Sequence, residues 1–236
     1  MLESLRAGNN IERLLMFDDV ELGPQLKEII VLADEAGIPV EAVTRRDLER
    51  QSHTKKHQGV LAVVPDQRYH DTDQLLVDAE GQEAAPLMVM LDGIQDPHNL
   101  GAIARTADAA GAHGLIIPER RAVGVTPGAI RASAGALEHV KVARVGNLNR
   151  TIEDLKESGV WFVGLDADGD AEYTDIDFTR PTVIVVGSEG KGISRLVREN
   201  CDQIASIPMT GQLSSLNASV SAGIVLYEAY RQRRRS

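Results

Sequence analysis

The sequence predicts an α/β fold in which a mostly parallel β-sheet, covered by helices, follows a small α/β unit. From Leu87 onward, short apolar segments of strand length alternate with amphipathic segments of helical length. This alternation is typical of parallel sheets with helices on both faces. Large apolar residues become rare over residues 65–86, which predicts a linker. A chain of 236 residues can form one large domain or two small ones.

Residues 1–64 predict the small α/β unit, and each of its elements has a local signal. The first helix has apolar periodicity, the second ends where Gly37 and Pro39 interrupt it, and the strands are short and apolar. The predicted elements are a helix at Leu2–Ala7, a strand at Ile11–Met16, a helix at Gly23–Ala36, a strand at Val40–Val43, a helix at Arg45–Gln51 and a strand at Gly59–Val64. Within residues 65–86 we expect a short helix around Leu75–Ala79.

Residues 87–236 predict the larger domain. Its buried strands are expected at Leu87–Leu91, Gly114–Ile117, Trp161–Leu165, Val183–Val186 and Gln203–Ile207. Its helices are expected at Leu100–Ala110, Leu148–Ser158, Ile193–Asn200 and Leu216–Arg231. In such sheets ligands bind beyond the C-terminal ends of the strands. The functional loops should therefore follow Leu91, Leu165, Val186 and Ile207.

Composition excludes several classes of function. The net charge of −10 argues against a surface that is basic throughout, so an RNA partner would have to bind local patches. The single cysteine, Cys201, excludes an intramolecular disulfide and a Cys-based zinc site. The first residues show no signal-peptide pattern, and the apolar runs are too short for a membrane span. We expect a cytoplasmic protein that does not bind a membrane.

The polar segment around residues 53–58 has two open interpretations. His53 and His57 are four residues apart, but no third ligand is evident and the intervening Lys55 and Lys56 disfavour a metal ion, so no metal site is expected. Lys55, Lys56 and His57 could form a basic loop that contacts RNA. A solvated surface loop explains them about as well.

The loop after Leu91 contains two candidate residues. Asn99 stands where a helix N-cap is expected, directly before the helical pattern begins. Arg105 lies six residues later within a run of alanine and glycine. Such small neighbours would let another element approach closely, and an arginine there would point into a cleft. The alternative is an ordinary solvated arginine on a helix.

The loop after Val186 is the strongest ligand-binding candidate. Gly187, Gly190 and Gly192 follow a buried strand and precede a helix, where glycine allows a ligand to approach the backbone closely. The spacing is neither a Walker A motif nor a dinucleotide-binding fingerprint. Glu189 disfavours a bound phosphate and suits a cation, a ribose hydroxyl or an amine. A tight strand-to-helix turn would need fewer glycines than this.

The loop after Ile207 is rich in hydroxyl and amide side chains over Pro208–Ala222. Ser214 or Ser215 could cap the last helix. The cluster as a whole, which includes Asn217, exceeds what a cap requires. The sequence contains neither an HExxH motif nor a Gly-x-Ser-x-Gly nucleophile elbow.

These three segments resemble the three motifs of the SpoU (TrmH-type) RNA ribose 2′-O-methyltransferases, in the same order and in similar strand–loop contexts. The matching segments are Asn99–Ala107, Val186–Gly192, Ile207–Met209 and Ser215–Val220. The resemblance covers residues 87–232. Residues 1–64, with His57-Gln58-Gly59-Val60, are similar to the L30e-like substrate-binding domain of the branch that methylates a 23S rRNA guanosine.

The resemblance implies a SPOUT-type α/β-knot methyltransferase domain with a deep C-terminal trefoil knot, S-adenosylmethionine as cofactor, and a homodimer. Periodicity shows no knot, which is a rare topology. One departure concerns the start of the chain. Family members usually have a short strand and a Gly-x-Asn/His-x-Val segment before the first helix, whereas Met1 begins almost within that helix. We expect a start that is truncated or assigned too late, which bears on the stability and RNA binding of the N-terminal unit.

The resemblance also implies residue roles. Arg105 would act at the ribose hydroxyl as the general base, and Asn99 would orient the region around Arg105. Glu189 would support the cofactor loop and Arg105, and Ser215 and Asn217 would complete the catalytic pocket. The implied cofactor-binding residues are Leu165, Asp166, Ala167, Gly187, Glu189, Gly190, Ile207, Met209 and Leu216. The RNA-contact candidates from the sequence are Lys55, Lys56, His57, Arg120, Arg121 and Arg131, each of which could equally be a solvated surface residue.

Two questions stay open at this point. Arginine is normally protonated, so Arg105 could act as a general base only if its surroundings lowered its pKa strongly. A charged Arg105 could instead bind a phosphate and stabilise the forming oxyanion. The substrate could be a 23S rRNA guanosine, a tRNA, or the rRNA site that confers thiostrepton resistance. A non-catalytic RNA-binding assembly factor is the alternative from a different class, and a Rossmann-type dinucleotide enzyme is disfavoured.

Overall fold

The structure is a computed structural model of the whole chain, and it describes residues 2, 5, 11–18, 23–52, 59–63, 69–81, 84–211 and 215–234. The chain divides into two compact units, Met1–Gln67 and Arg68–Ser236. Residues 68–86, part of the expected linker, therefore belong to the second unit. Among the described residues, no helix combines the length and the apolar character needed to cross a bilayer.

The first unit is a three-stranded sheet with two described helices. Its strands have the order β2-β1-β3, with β1 parallel to β2 and antiparallel to β3. Its elements are β1 (Arg13–Phe17), α1 (Pro24–Glu35), β2 (Val40–Val43), α2 (Arg45–Gln51) and β3 (Val60–Val63). Leu14, Ile29 and Ala33 are buried and form much of its core. The periodicity and turn signals located all five elements to within two residues.

The second unit contains a seven-stranded parallel sheet with the order β6-β5-β4-β9-β7-β10-β8. The strands are β4 (Leu87–Asp92), β5 (Gly114–Pro118), β6 (Val142–Val145), β7 (Trp161–Leu165), β8 (Ala171–Glu172), β9 (Thr182–Gly187) and β10 (Gln203–Ser206). A late strand, β9, lies between β4 and β7. This order is the α/β architecture that the sequence predicts, and it is consistent with the knot that the resemblance implies.

Helices cover both faces of this sheet. They are α3 (Thr72–Gly81), α4 (Pro97–Ala109), α5 (Pro127–Ala132), α6 (Leu148–Glu157), α7 (Arg195–Asn200) and α8 (Ala218–Arg233). Side chains of α4, α5 and α8 pack on one face, where Val89 and Ile184 are buried. Side chains of α3, α6 and α7 pack on the other face, where Met88 and Val183 are buried. All strands point their C-terminal ends to one edge of the sheet.

Helix α4 begins earlier than the sequence analysis predicts. Its N-cap is Asp96, whose carboxylate accepts a hydrogen bond from the backbone N–H of His98 at 2.9 Å. Asn99 lies inside the helix and is buried, so its assignment as the N-cap is wrong. Pro97 occupies the first helical position, which is a common place for proline.

The small residues of α4 allow α5 to approach closely. A Cβ atom at Gly101 would lie 2.5 Å from both the carbonyl oxygen of Ala129 and the Cβ of Ala132. The small residues around Arg105 therefore serve helix packing. They do not by themselves show a cleft around Arg105.

The C-terminal end of α8 is fastened by Arg233. Its guanidinium donates hydrogen bonds to four carbonyl oxygens, those of Phe178 (2.7 Å), Arg180 (2.8 Å), Pro86 (3.0 Å) and Ala85. Burial lowers the pKa of Arg233 to about 10, so it remains charged near neutral pH. This side chain ties the last helix to the segments that precede β4 and β9.

We expect Arg233→Ala to lower the free energy of unfolding by about 2–3 kcal/mol, because four carbonyl groups lose a charged donor and three of these hydrogen bonds are partly buried. Urea unfolding at a fixed protein concentration measures this change. The adjacent, exposed Arg234→Ala is the control and should change stability by less than about 0.5 kcal/mol. Equal effects of the two substitutions would contradict this role of Arg233.

Candidate functional site

A cavity of about 760 Å³ opens at the C-terminal edge of the parallel sheet. The loops that follow β7, β9 and β10, together with the start of α8, form its walls. Every cofactor-binding residue that the resemblance implies lines it: Leu165, Asp166, Ala167, Gly187, Glu189, Gly190, Ile207, Met209 and Leu216. These residues, from two family motifs and from the loop after β7, thus share one cavity, at the edge where ligands bind parallel sheets.

The loop between β9 and α7 is held tightly against the end of its own strand. Ser188 and Gly192 exchange two backbone hydrogen bonds, at 3.1 and 2.9 Å. A Cβ atom at Gly187 would lie 2.1 Å from the carbonyl carbon of Gly192. Only glycine fits at position 187 without moving this loop. The sequence signal of repeated glycines therefore has a packing cause at the cavity wall.

Three polar side chains from different segments of the chain form a hydrogen-bonded cluster, which we call the amide–carboxylate cluster: Asn99, Glu189 and Asn217. The Nδ2 of Asn99 donates to Oε1 of Glu189 at 3.0 Å. The Nδ2 of Asn217 donates to Oδ1 of Asn99 at 3.0 Å, and also to Oε1 of Glu189. Asn99 is only 6% exposed. Glu189 and Asn217 line the cavity, so the cluster fixes a carboxylate at the cavity wall.

Asn217 also caps the last helix. Its Oδ1 accepts hydrogen bonds from the backbone N–H of Ser219 at 2.9 Å and of Val220 at 3.3 Å. Neither Ser214 nor Ser215 is the cap of α8, which corrects that expectation. Ser215 lines the cavity, while Ser214 lies outside the described residues. One side chain therefore starts the helix and anchors Glu189.

Ion pairs and backbone contacts position the other loops of the cavity. Arg198 of α7 pairs with Asp166 at 2.7 Å and donates to the carbonyl oxygen of Asp168 at 3.1 Å. The carboxylate of Asp92, at the end of β4, accepts from the backbone N–H of Ser194 at 2.7 Å. The second contact joins the end of the first strand to the glycine-rich loop.

Arg105 lies outside the cavity wall. It is exposed on α4, and it makes no hydrogen bond or ion pair with the part of the chain that the structure describes. The next residue, Thr106, packs against Gly223 of α8. Arg105 therefore lies on the α4 surface next to α8, where its guanidinium is available to a molecule outside this chain.

The basic residues predicted to contact RNA fall into two groups. Arg120 and Arg121 are exposed in the loop after β5, and Arg131 is exposed on α5. Lys55, Lys56 and His57 lie outside the described residues. In the described part of the chain, no group of three or more His, Cys, Asp or Glu side chains could hold a metal ion.

Sequence reasoning missed several cavity residues. Ser188, Lys191 and Gly192 line the cavity beside predicted residues of the same loop, and membership of that loop was the available signal. Ser221 lines it one helical turn after Asn217, a spacing that the predicted start of α8 could have indicated. Arg198, which holds Asp166, had no signal in the sequence.

Two family descriptions match this chain. The SpoU rRNA Methylase family matches residues 86–227. The family described as RNA 2′-O ribose methyltransferase substrate binding matches residues 1–70. The first match covers more than half of the chain and includes all the loops that form the cavity.

Relatives match along nearly the whole chain. YacO of Bacillus subtilis, assigned to the TrmH family of tRNA/rRNA methyltransferases, is 46% identical over 99% of this chain and 93% of its own length. The SpoU methyltransferase AviRb of Streptomyces viridochromogenes, in complex with S-adenosylmethionine, is 32% identical, with a TM-score of 0.67 over 100% of this chain and 88% of AviRb. An S-adenosylmethionine-bound rRNA methyltransferase of Sinorhizobium meliloti is 28% identical, with a TM-score of 0.63 over 98% of this chain and 83% of that protein.

Proposed function

The chain belongs to the SpoU rRNA methylase family, and we propose that it transfers a methyl group from S-adenosylmethionine to the ribose 2′-hydroxyl of a guanosine in 23S rRNA. The observation that carries this proposal is the amide–carboxylate cluster at the wall of the cavity. Asn99, Glu189 and Asn217 come from three family motifs and are bonded to one another. Hydrogen bonds that join the three motifs favour a single functional site.

The cavity fits the cofactor that this family uses. Its volume of about 760 Å³ is within the usual range for ligand pockets. Leu165, Ile207 and Leu216 offer an apolar wall suited to an adenine ring, and Gly187 lies in the same cavity wall. The carboxylates of Asp166 and Glu189 suit the positive charges of a sulfonium and an amino group. When bound, S-adenosylmethionine supplies an electrophilic methyl group.

The residues of the cluster fix the geometry of the site. Two amide groups donate to one oxygen of Glu189, which fixes the direction of its carboxylate. Asn217, in turn, is locked because it caps α8. Fixed polar groups stabilise a developing charge without having to reorganise at the moment of reaction. We assign Asn99, Asn217 and Ser215 this supporting role.

Arg105 is proposed as the residue that acts on the RNA. A ribose hydroxyl is a poor nucleophile and needs alignment or loss of its proton. The exposed guanidinium of Arg105 can bind the phosphate beside the target ribose and stabilise the oxyanion that forms. Its exposure supports this binding role, because an exposed guanidinium can contact a phosphate of a bound RNA.

The substrate proposal rests on both units. The match of residues 1–70 to an RNA 2′-O ribose methyltransferase substrate-binding family supports RNA as the substrate. We propose a 23S rRNA guanosine, as the resemblance implies, with Arg120, Arg121 and Arg131 as RNA contacts and with Lys55, Lys56 and His57 as candidates in the first unit. A tRNA or another rRNA site would use the same chemistry.

A homodimer is part of the proposal. Helix α8 exposes an apolar stripe at Val220, Tyr227 and Tyr230, which are 48%, 51% and 40% exposed. Exposed apolar stripes of this kind favour protein–protein contact. Thr106 packs on the same helix, so a second copy docked there would approach Arg105. Such an arrangement would place Arg105 at the interface between the two copies, near a functional site.

Calorimetric titration with S-adenosylmethionine, followed by transfer of labelled methyl groups to RNA, tests the proposal. We expect saturable binding of one cofactor per chain, and label recovered as 2′-O-methylated nucleoside after digestion. Absence of cofactor binding would instead favour a non-catalytic RNA-binding factor, because a pure binding module needs no methyl donor. Label on a base would contradict the proposed chemistry.

A further inference from the structure

We propose that the loop Glu119–Thr126 and Arg144 together form a preformed site for RNA backbone phosphates, which we call the arginine loop. The inference rests on the proposed function, since it assumes an RNA substrate. It goes further by assigning a phosphate-binding role to Arg144, by assigning Tyr69 as a positioning residue, and by predicting the side from which the RNA approaches.

The arginine loop is fastened along its length. Backbone hydrogen bonds join it to β6 and to the loop after β4, and a tyrosine hydroxyl holds its far end. These contacts are Glu119 N–H to Val145 O at 2.9 Å, Val123 N–H to Ile94 O at 2.8 Å, and Val125 N–H to the Tyr69 hydroxyl at 3.1 Å. A loop held in this way loses little conformational entropy when it binds a ligand.

Two exposed arginines stand at the tip of the fastened loop. Arg120 and Arg121 lie between its first and second attachments, and both side chains are exposed. The backbone of Arg121 has φ +60°, in the left-handed region that residues other than glycine rarely adopt. Such backbone strain concentrates at ligand-binding sites. The surrounding attachments hold this conformation in place.

Arg144 adds a third guanidinium to this surface. It stacks over the ring of Tyr69, with its central carbon 5.1 Å from the ring centroid, and it donates to the carbonyl oxygen of Glu119 at 3.3 Å. Stacking and one backbone bond leave further N–H donors for a phosphate. Arg120, Arg121 and Arg144 form no ion pair with the described residues; Glu119 supplies the only carboxylate within the loop itself.

The C-terminal edge of the sheet carries positive charge at one end and negative charge towards the other. The arginine loop follows β5 and lies beside β6, at one end of the strand order. The loop after β7, towards the other end, carries Asp166, Asp168 and Asp170, of which Asp166 is paired with Arg198. An anionic polymer is attracted to the first end and repelled from the second.

The amide–carboxylate cluster lies between these two ends, at the loops after β4 and β9. Ile94, which holds the arginine loop, precedes Asn99 in the same β4–α4 segment. The geometry therefore places phosphate-binding groups on the β5–β6 side of the cluster and the cavity on its β7–β10 side. We infer that the RNA backbone crosses the β5–β6 side, while the methyl donor occupies the other.

The salt dependence of RNA binding tests this inference in the full chain. The probe is protein-free 23S rRNA, and its dissociation constant is measured between about 50 and 200 mM potassium chloride. Arg120→Gln, Arg121→Gln and Arg144→Gln should each weaken binding several-fold. Each should also reduce the slope of log affinity against log salt by about 0.7–0.9, which is the effect of one lost phosphate contact. Binding of S-adenosylmethionine should not change.

Arg180→Gln is the matched control. Arg180 also stacks on an aromatic ring, that of Trp161 at 4.8 Å, but it precedes β9 at the opposite edge of the sheet. Its substitution should leave the salt slope unchanged. Unchanged slopes in all three arginine-loop variants, or an equal fall with Arg180→Gln, would overturn the inference.

The two proposals fail in distinguishable ways. If the wild-type protein shows the arginine-dependent slope but transfers no methyl group, the proposed activity is wrong and the phosphate site stands. If the wild-type protein methylates RNA with a slope that does not depend on Arg120, Arg121 and Arg144, the activity stands and the arginine loop is not the phosphate site.

Discussion

Replacing Arg105 with alanine is expected to reduce methyl transfer by about a hundredfold or more while S-adenosylmethionine affinity stays within a few-fold. The reason is spatial separation. Arg105 is exposed on α4 and is absent from the cavity wall, so its loss removes the group that we propose acts on the RNA and leaves the cavity wall intact. Single-turnover transfer to rRNA and calorimetric titration with the cofactor measure the two effects.

Arg150→Ala is the control for Arg105→Ala. Arg150 is also an exposed arginine on a helix, but α6 packs on the opposite face of the sheet from α4. We expect its substitution to leave transfer unchanged. Arg105→Lys should restore part of the activity if a positive charge at the phosphate is what matters. Full activity of purified Arg105→Ala would refute the catalytic role.

Gly187→Ala is expected to weaken S-adenosylmethionine binding by about tenfold to a hundredfold. The new Cβ would lie 2.1 Å from the carbonyl carbon of Gly192, so the loop that carries Glu189 must move. Overpacking of this kind typically costs about 1–3 kcal/mol, and about 1.4 kcal/mol corresponds to a factor of ten in affinity. The dissociation constant from calorimetry tests the prediction.

Gly81→Ala provides the control for Gly187→Ala. Gly81 ends α3, and among the described residues no atom outside its own helix backbone and chain neighbours lies within 4 Å of the position that its Cβ would take. Cofactor affinity should be unchanged in this variant. If Gly187→Ala binds the cofactor as tightly as Gly81→Ala does, the loop is not held as the structure shows, and its part in the cavity must be reconsidered.

Strand and helix positions were predictable wherever the local pattern was strong. The apolar strands β4, β7 and β9 and the helix α6 lie close to their predicted bounds because their periodicity is clear. By contrast, β6 is only four residues long and contains a charged residue, and α5 is six residues long and contains glycine. Neither of these last two elements was predicted, because tertiary packing, not local pattern, forms them.

The cavity could be predicted as a set of loops, but its internal bonds could not. Parallel strands bring their C-terminal loops to one edge, and this placed Glu189 and Asn217 at the same site. Asn99 donates a hydrogen bond to Glu189, which lies 90 positions away in the sequence. This contact depends on the direction in which each side chain points, and residue spacing does not reveal that direction. The Tyr69–Arg144 stack is another contact of this kind.

Site-resolved mapping of ribose methylation tests the proposed substrate and the proposed chemistry together. Protein-free 23S rRNA and bulk tRNA are incubated separately with the purified protein and labelled S-adenosylmethionine, and the modified nucleotide is located by sequencing. The proposed function predicts a single 2′-O-methylguanosine in 23S rRNA, lost with Arg105→Ala. Methylation of tRNA alone would contradict the proposed substrate, and cofactor binding without ribose methylation of either RNA would contradict the proposed activity.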